Sequence, residues 1–430
     1  MKTLALTIGD PDGIGPEITA RFLHRWAKDA LNSPPWEGWQ AEPDGVVSSW
    51  ANDSLQKARL IVYGDIAALR HMANVLNISL PKPSIQLQYR NIEIGTFLDT
   101  DGTTPSGSAC HPSHGGEFKG AKDTYIEADQ NDISPLARCG YVAYNSLVAA
   151  VLAIRKGEAD ALLTGPISKE NLHAANIPYE GHTEILQDLA NQHFSNTASQ
   201  NEIPPILNPV PTRKPSRATA EESPAEGGGD KCLDIALEQP YQSDMLFLYQ
   251  QFRMLLLTRH VPLSKVGESM TYEGVCQSLK TLCEFLTEQA KIPHPKIAML
   301  GVNPHAGESM GKGQQHESTE EARILIPAIQ TIQRLFPSVA LTPPLAADGA
   351  FRGFKVDHPS YDAYVAAYHD QGLIPFKMMA GLQAVNVTIG LPFLRTSVSH
   401  GTAPDIAGKG IASEESLIAA YQAALELMKK

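Results

Sequence analysis

Cysteine is scarce and scattered in this chain of 430 residues. Cys110, Cys139, Cys232, Cys276 and Cys283 are odd in number and form no Cys-x-x-Cys pair, which excludes a disulfide framework and a thiolate zinc site. All five read as structural. Long apolar runs are also missing. No stretch reaches the roughly 18 to 20 apolar residues that a spanning helix requires, and the run ahead of Asp10 is too short for a signal peptide. These absences lead to the expectation of a cytoplasmic protein with no membrane partner. Positive charge is in deficit as well: Lys plus Arg number 35 against 47 Asp plus Glu, a formal charge of -12. Such a surface repels polyanions, so general nucleic-acid or anionic-membrane binding is excluded and any phosphate must be caught locally.

What is present is ordinary for a soluble globular protein, with 43% hydrophobic and 19% charged residues. The length exceeds what one hydrophobic core usually serves, so two domains are expected. Strand-length apolar runs alternate with helix-length amphipathic segments. Leu4 to Ile8 leads into the turn Gly9-Asp-Pro-Asp-Gly-Ile-Gly15 and a helix near Pro16, whose fixed φ suits a first helical position. Strands follow at 159–164, 252–258, 296–302, 364–368 and 384–389, and helical patterns at 271–290, 317–335 and 414–428. This alternation predicts an α/β fold with a largely parallel sheet. Residues 32–53 and 194–230 interrupt it. The first reads as an irregular excursion, and the second, rich in Asn, Ser, Pro and Glu, as a mobile insertion.

Ligands bind at the carboxyl ends of strands in open α/β sheets, so polar residues that follow apolar runs are the first suspects. His260, His305 and His369 each follow such a run. Three imidazoles from different strand ends would make a divalent-metal site with open positions for substrate. Taken singly, each of the 14 histidines reads more readily as a hydrogen-bonded surface or core residue than as a ligand, and spacings of this length do not identify a metal site by themselves. His182 and Thr183, in Gly181-His-Thr-Glu184, suit either an oxyanion contact or a helix N-cap by Thr183. Lys377 and Arg395 suit anionic substrate groups, since Arg grips an oxyanion bidentately and Lys supplies a point charge; solvated surface cations are the plain alternative. Gly9 to Gly15 matches a phosphate-cradling loop only loosely. The loop from His400 through Gly401 and Asp405 to Gly410 is more telling, because its glycines admit a close nucleotide and its acid can accept ribose hydroxyls.

Together the motifs resemble the 4-hydroxythreonine-4-phosphate dehydrogenase family of pyridoxal phosphate biosynthesis. The matching stretches run in order along nearly the whole chain: Gly9-Asp-Pro-Asp-Gly-Ile-Gly-Pro-Glu17, Leu-Thr-Gly165-Pro-Ile-Ser-Lys169, Gly-His182-Thr-Glu, Thr-Arg-His260-Val-Pro-Leu, Gly-Val-Asn-Pro-His305-Ala-Gly-Glu308, Tyr-His369-Asp-Gln-Gly and Val-Asn386-Val-Thr-Ile-Gly-Leu-Pro-Phe-Leu-Arg395-Thr-Ser. The loop at 400–410 is similar to the dinucleotide loop of isopropylmalate and isocitrate dehydrogenases.

The resemblance implies an isocitrate/isopropylmalate dehydrogenase-like, three-layer α/β/α fold of two domains with the active-site cleft between them. A discontinuous nucleotide-binding domain is expected at 1–138 and 380–430, and a central metal, substrate and dimerisation domain at 139–379. The implied reaction is NAD-dependent (or NADP-dependent) oxidation of 4-phosphooxy-L-threonine, a small phosphorylated hydroxy acid, followed by decarboxylation. By motif, His260, His305 and His369 carry over as ligands of one divalent ion (Zn, Mg or Co). His182, Thr183, Lys377, Asn386 and Arg395 carry over as substrate contacts, and His400, Gly401 and Asp405 as cofactor contacts. Lys377 or Asp348 is placed to relay the proton. A homodimer is implied whose active site, at the subunit interface, draws on both subunits. Ser168, Gly349 and Ser399 depart from residues common in the family, which keeps a related dehydrogenase of threonate or erythronate 4-phosphate in view. A metallohydrolase is the reading from another class.

Overall fold

The computed structural model describes residues 1–31, 58–84, 86–92, 133–194, 241–308 and 317–429. The excursion at 32–53, nearly all of the insertion at 194–230, Cys110 and Cys232 lie outside the described residues. In chain order, β1 (Thr3–Thr7), α1 (Gly15–Leu31), β2 (Arg59–Gly64), α2 (Ile66–Val75) and β3 (Leu87–Asn91) come first. Next are α3 (Pro135–Arg155), β4 (Ala161–Thr164), α4 (Lys169–Ala174) and α5 (His182–Phe194). They are followed by β5 (Asp244–Tyr249), β6 (Phe252–Leu256), α6 (Tyr272–Glu284), β7 (Lys296–Met299), α7 (Ile326–Leu335) and β8 (Ala340–Leu341). The described chain closes with β9 (Ala363–Ala366), α8 (His369–Ala380), β10 (Val385–Ile389), β11 (Leu394–Val398) and α9 (Glu415–Lys429). The expected mixed α/β class holds.

Among the described residues the chain divides into two compact units: 1–194 with 392–425, and 241–391 with the final residues. These bounds differ from the expected 1–138 with 380–430 and 139–379. The reason lies in strand pairing. β4 pairs in parallel with both β1 and β11, and α3 packs on β1, β2 and β4, so 139–194 join the first unit. β10 pairs antiparallel with β5, which keeps 385–391 in the second.

In the first unit the strand order is β3-β2-β1-β4-β11, all pairs parallel. Every residue of β1 and β4 is buried, as expected for parallel strands covered on both faces. Local capping fixes the helix starts. The Asp65 carboxylate accepts from the backbone N–H of Ala67 and Ala68, and Ser134 accepts from Ala137 ahead of Pro135 at the first helical position. α3 corrects the sequence reading. It is long and apolar enough, by length and composition, to cross a membrane, yet 78% of that window is buried inside the fold. It is the core helix of this unit, and an all-round apolar helix gives no amphipathic period to read.

In the second unit the order is β10-β5-β6-β9-β7-β8. β5 pairs antiparallel with β10 and β6, while β6–β9, β9–β7 and β7–β8 are parallel. An aromatic cluster packs the strands against α8: Phe252 contacts Phe351, Phe354, Tyr364 and Phe376, at 4.5 Å between ring centroids for Phe354. Phe252 is fully buried. Phe252→Ala is expected to destabilise the protein by about 3–5 kcal/mol in equilibrium denaturation; a loss below about 1 kcal/mol would contradict this account of the core.

Candidate active site

The second unit carries the three histidines singled out by sequence. β6, β9 and β7 are neighbours and run parallel, and His260, His369 and His305 each come shortly after one of their carboxyl ends. The rings of His260 and His369 stand 5.8 Å apart between centroids. His369 opens α8, and its Nδ1 is 2.7 Å from an Asp370 carboxylate oxygen. A carboxylate on one ring nitrogen favours the tautomer that leaves the lone pair on Nε2. His260 is held through its neighbour: Arg259 donates to the Ser243 carbonyl at 2.8 Å and to buried Asp244 at 3.1 Å, and the Ser278 hydroxyl donates to the same carboxylate. Burial raises the Asp244 pKa, against the pull of Arg259 and Ser278.

His305 sits in a turn, Pro304–Gly307, with left-handed backbone. Among the described residues no group of three His, Cys, Asp or Glu side chains is gathered closely enough to hold a metal. The chain thus brings two imidazoles near each other and holds the third in the turn that follows the neighbouring strand β7. The short helix Ala347–Ala350, which carries exposed Asp348, packs beside the His305 turn. Lys377 is exposed in the last turn of α8. Asn386, on β10, has a buried Oδ1 without a hydrogen-bond partner among the described residues.

In the first unit, Arg395 on β11 is 1% exposed, and its Nε and one terminal nitrogen donate to Thr164 Oγ1 at 3.2 and 2.8 Å. Burial lowers its pKa to about 9 and the Glu184 charge works the other way, so it stays cationic at neutral pH. His182 begins α5, so Thr183 lies within the first turn instead of capping it. Burial, then the Arg395 charge, hold the His182 pKa well below its usual value, opposed by a hydrogen bond to Gly165. Its Nε2 is buried without a hydrogen-bond partner among the described residues. A neutral ring with an acceptor nitrogen beside a buried guanidinium suits a protonated or hydroxylic ligand group.

Four backbone donors of the Gly9–Gly15 turn are engaged within the protein. Asp10 N donates to Pro166 O, Asp12 N to Asp10 Oδ1, Gly13 N to Asp10 O and Ile14 N to Thr402 O. Through that last bond it braces the loop after β11. Buried Glu17 accepts from the N–H of Gly410 and Ala412, and Arg21 donates to Gly410 O. Asp405 between these anchors and Gly401 just ahead of the first are exposed, and His400 Nδ1 lies 2.9 Å from Gly401 O. Sequence reasoning missed Thr164, Glu17 and Asp370. Asp370 adjoins His369 and was readable as its orienting acid; Thr164 needs the β4–β11 register to be found.

A family model for pyridoxal phosphate biosynthetic protein PdxA matches residues 56–202 and 218–424. The chain belongs to the PdxA family. A 4-hydroxythreonine-4-phosphate dehydrogenase of Synechocystis is 34% identical over 436 residues, covering 100% of this chain and 97% of that protein. A candidate D-threonate 4-phosphate dehydrogenase of Oceanobacillus iheyensis is 30% identical, covering 99% and 97%. The crystal structure of a 4-hydroxythreonine-4-phosphate dehydrogenase from Burkholderia phymatum superposes with a TM-score of 0.60 at 25% identity, covering 99% of this chain and 98% of that one. The fold of this PdxA family member is therefore also that of a solved relative.

His182 gives a direct test of this electrostatic account. Its unfolded state takes up a proton near the usual value of 6.5 and its folded state only at lower pH, so this residue makes stability fall as pH drops below about 6.5. The ring-proton NMR titration of His182 in the folded protein should have its midpoint well below 6.5; a midpoint near 6.5 would refute the burial.

Proposed function

We propose that this protein oxidises the C3 hydroxyl of 4-phosphooxy-L-threonine with NAD, or NADP, to 2-amino-3-oxo-4-phosphooxybutanoate. That product loses carbon dioxide to give 3-amino-2-oxopropyl phosphate, in the formation of pyridoxal 5'-phosphate in the cytoplasm. The observation that carries the reading is the order His260, His369, His305 after three neighbouring parallel strands, in a member of this family.

Each assigned residue has a physical task. His260, His305 and His369 hold one divalent ion, Zn, Mg or Co, with the set completed in a homodimer. Exposed Leu263, Ile374, Met378 and Leu382 on and beside α8 and the His260 loop supply an apolar face suited to a second copy. When bound, the ion would lower the pKa of the substrate hydroxyl and steady the charge left by departing carbon dioxide, while the nicotinamide accepts hydride. Arg395 and Lys377 meet the anionic groups, and His182, Thr183 and Asn386 orient the substrate by hydrogen bonds. Lys377 or Asp348 moves the hydroxyl proton. His400, Gly401 and Asp405 receive the adenosine half of the dinucleotide.

A second reading, the same oxidation of D-threonate 4-phosphate, is favoured by the relative at 30% identity that bears that name. Purified protein given 4-phosphooxy-L-threonine, NAD and a divalent ion should generate reduced nicotinamide, and His369→Ala should lose both bound metal and turnover. Faster reduction with the non-amino phosphate would select the second reading. No reduction with either substrate would remove both.

A further inference from the structure

The His305 turn adopts a conformation that L side chains seldom take: His305 has φ 53 and ψ 27, Ala306 φ 55 and ψ 36, and Gly307 φ 73. Consecutive non-glycine residues in the left-handed region persist only where the surroundings over-determine them. Here two side chains do so. Glu321 is fully buried, and its Oε1 accepts Asn303 N at 2.7 Å while its Oε2 accepts Asn303 Nδ2 at 2.8 Å. The same Oε2 would lie 2.8 Å from a Cβ at position 307, so the turn closes onto this carboxylate only with glycine there. Glu320 also accepts from Asn303 Nδ2, at 2.8 Å.

The second side chain is Gln371, two residues after His369. Its Nε2 donates to Gly301 O at 2.7 Å, four residues before His305, and its Oε1 accepts from Ala367 N at 2.7 Å. The Ala367 carbonyl accepts in turn from Thr258 N at 3.1 Å and Thr258 Oγ1 at 2.7 Å, two residues ahead of His260. The backbones leading to all three histidines are thereby cross-tied at one residue, Ala367, and one amide side chain, neither of which is a candidate ligand.

We propose that Glu321 and Gln371 are positioning residues of the metal site: Glu321 holds the left-handed turn that presents His305, and Gln371 fixes that turn against the strand ends bearing His369 and His260. The inference rests on the reading of these histidines as ligands, and neither residue touches substrate or ion. Outer residues of this kind usually set metal affinity by 10- to 100-fold.

The test is cobalt(II) titration of the full-length metal-free protein, read by the visible d–d absorption of the bound ion. Glu321→Ala and Gln371→Ala should weaken cobalt binding by about tenfold or more and shift the absorption bands. Glu321→Gln, which keeps an acceptor for Asn303 N, should fall between them and the wild type, and it carries the test if the alanine variant does not fold. Leu279→Ala, a fully buried change on α6 in the same unit, should lower stability with affinity and spectrum unchanged. Wild-type affinity and spectrum in folded Glu321 and Gln371 variants would overturn the proposal. His305→Ala separates the two levels: if it binds cobalt as the wild type does, the ligand reading itself fails. If it loses cobalt while the Glu321 and Gln371 variants keep it, only the positioning role fails.

Discussion

Parallel strand pairing is the constraint on which the candidate chemistry of this fold depends. Strands that run the same way bring their carboxyl ends to the same edge, so loops distant in sequence emerge side by side. The registers Met254 with Tyr364 and Ala298 with Tyr364 make β6, β9 and β7 such a set, and a histidine follows each. In the other unit the same rule puts the turn after β1, the Gly165 turn after β4 and the His400 loop after β11 on one edge. The two antiparallel pairs of β5 lie outside these runs.

Burial then determines what the polar residues at those edges can do. Arg395 stays a cation although burial lowers its pKa, with Thr164 accepting from it and the Glu184 charge opposing the desolvation; burial first, and then the Arg395 charge, lower the His182 pKa. One desolvated pair so provides a positive donor fork and an uncharged acceptor, a combination that water-exposed side chains would not hold fixed. At the histidines the logic is reversed. The ligand candidates His260 and His305 are exposed, and rigidity comes from buried groups behind them, namely Asp244 under Arg259 and Glu321 under Asn303.

The parts of this arrangement written locally were legible in the sequence. Apolar runs ending in His260, His305 and His369 announced strand ends, and Pro16 announced the start of α1. Other parts are settled by contacts at long range. β11 reads as polar through Arg395, Thr396 and Ser397, yet all three are buried, because Ser397 and Arg395 meet Thr164 more than 230 residues earlier. α3 carries apolar residues on every side and so shows no helical period. The division between the units followed β4 and β10 to their partners, which no composition shift marks. Glu321, in a run of charged residues that reads as a solvated helix face, is buried by the Gly301 to Gly307 turn closing over it.

The central claim, that His260, His305 and His369 share one ion, is tested most directly by X-ray absorption of the zinc-loaded protein. The account predicts three imidazole nitrogens at about 2.0–2.1 Å, with one lost on substitution of any of the three histidines. A first shell without imidazole scattering, or one unchanged when each histidine is replaced in turn, would contradict it.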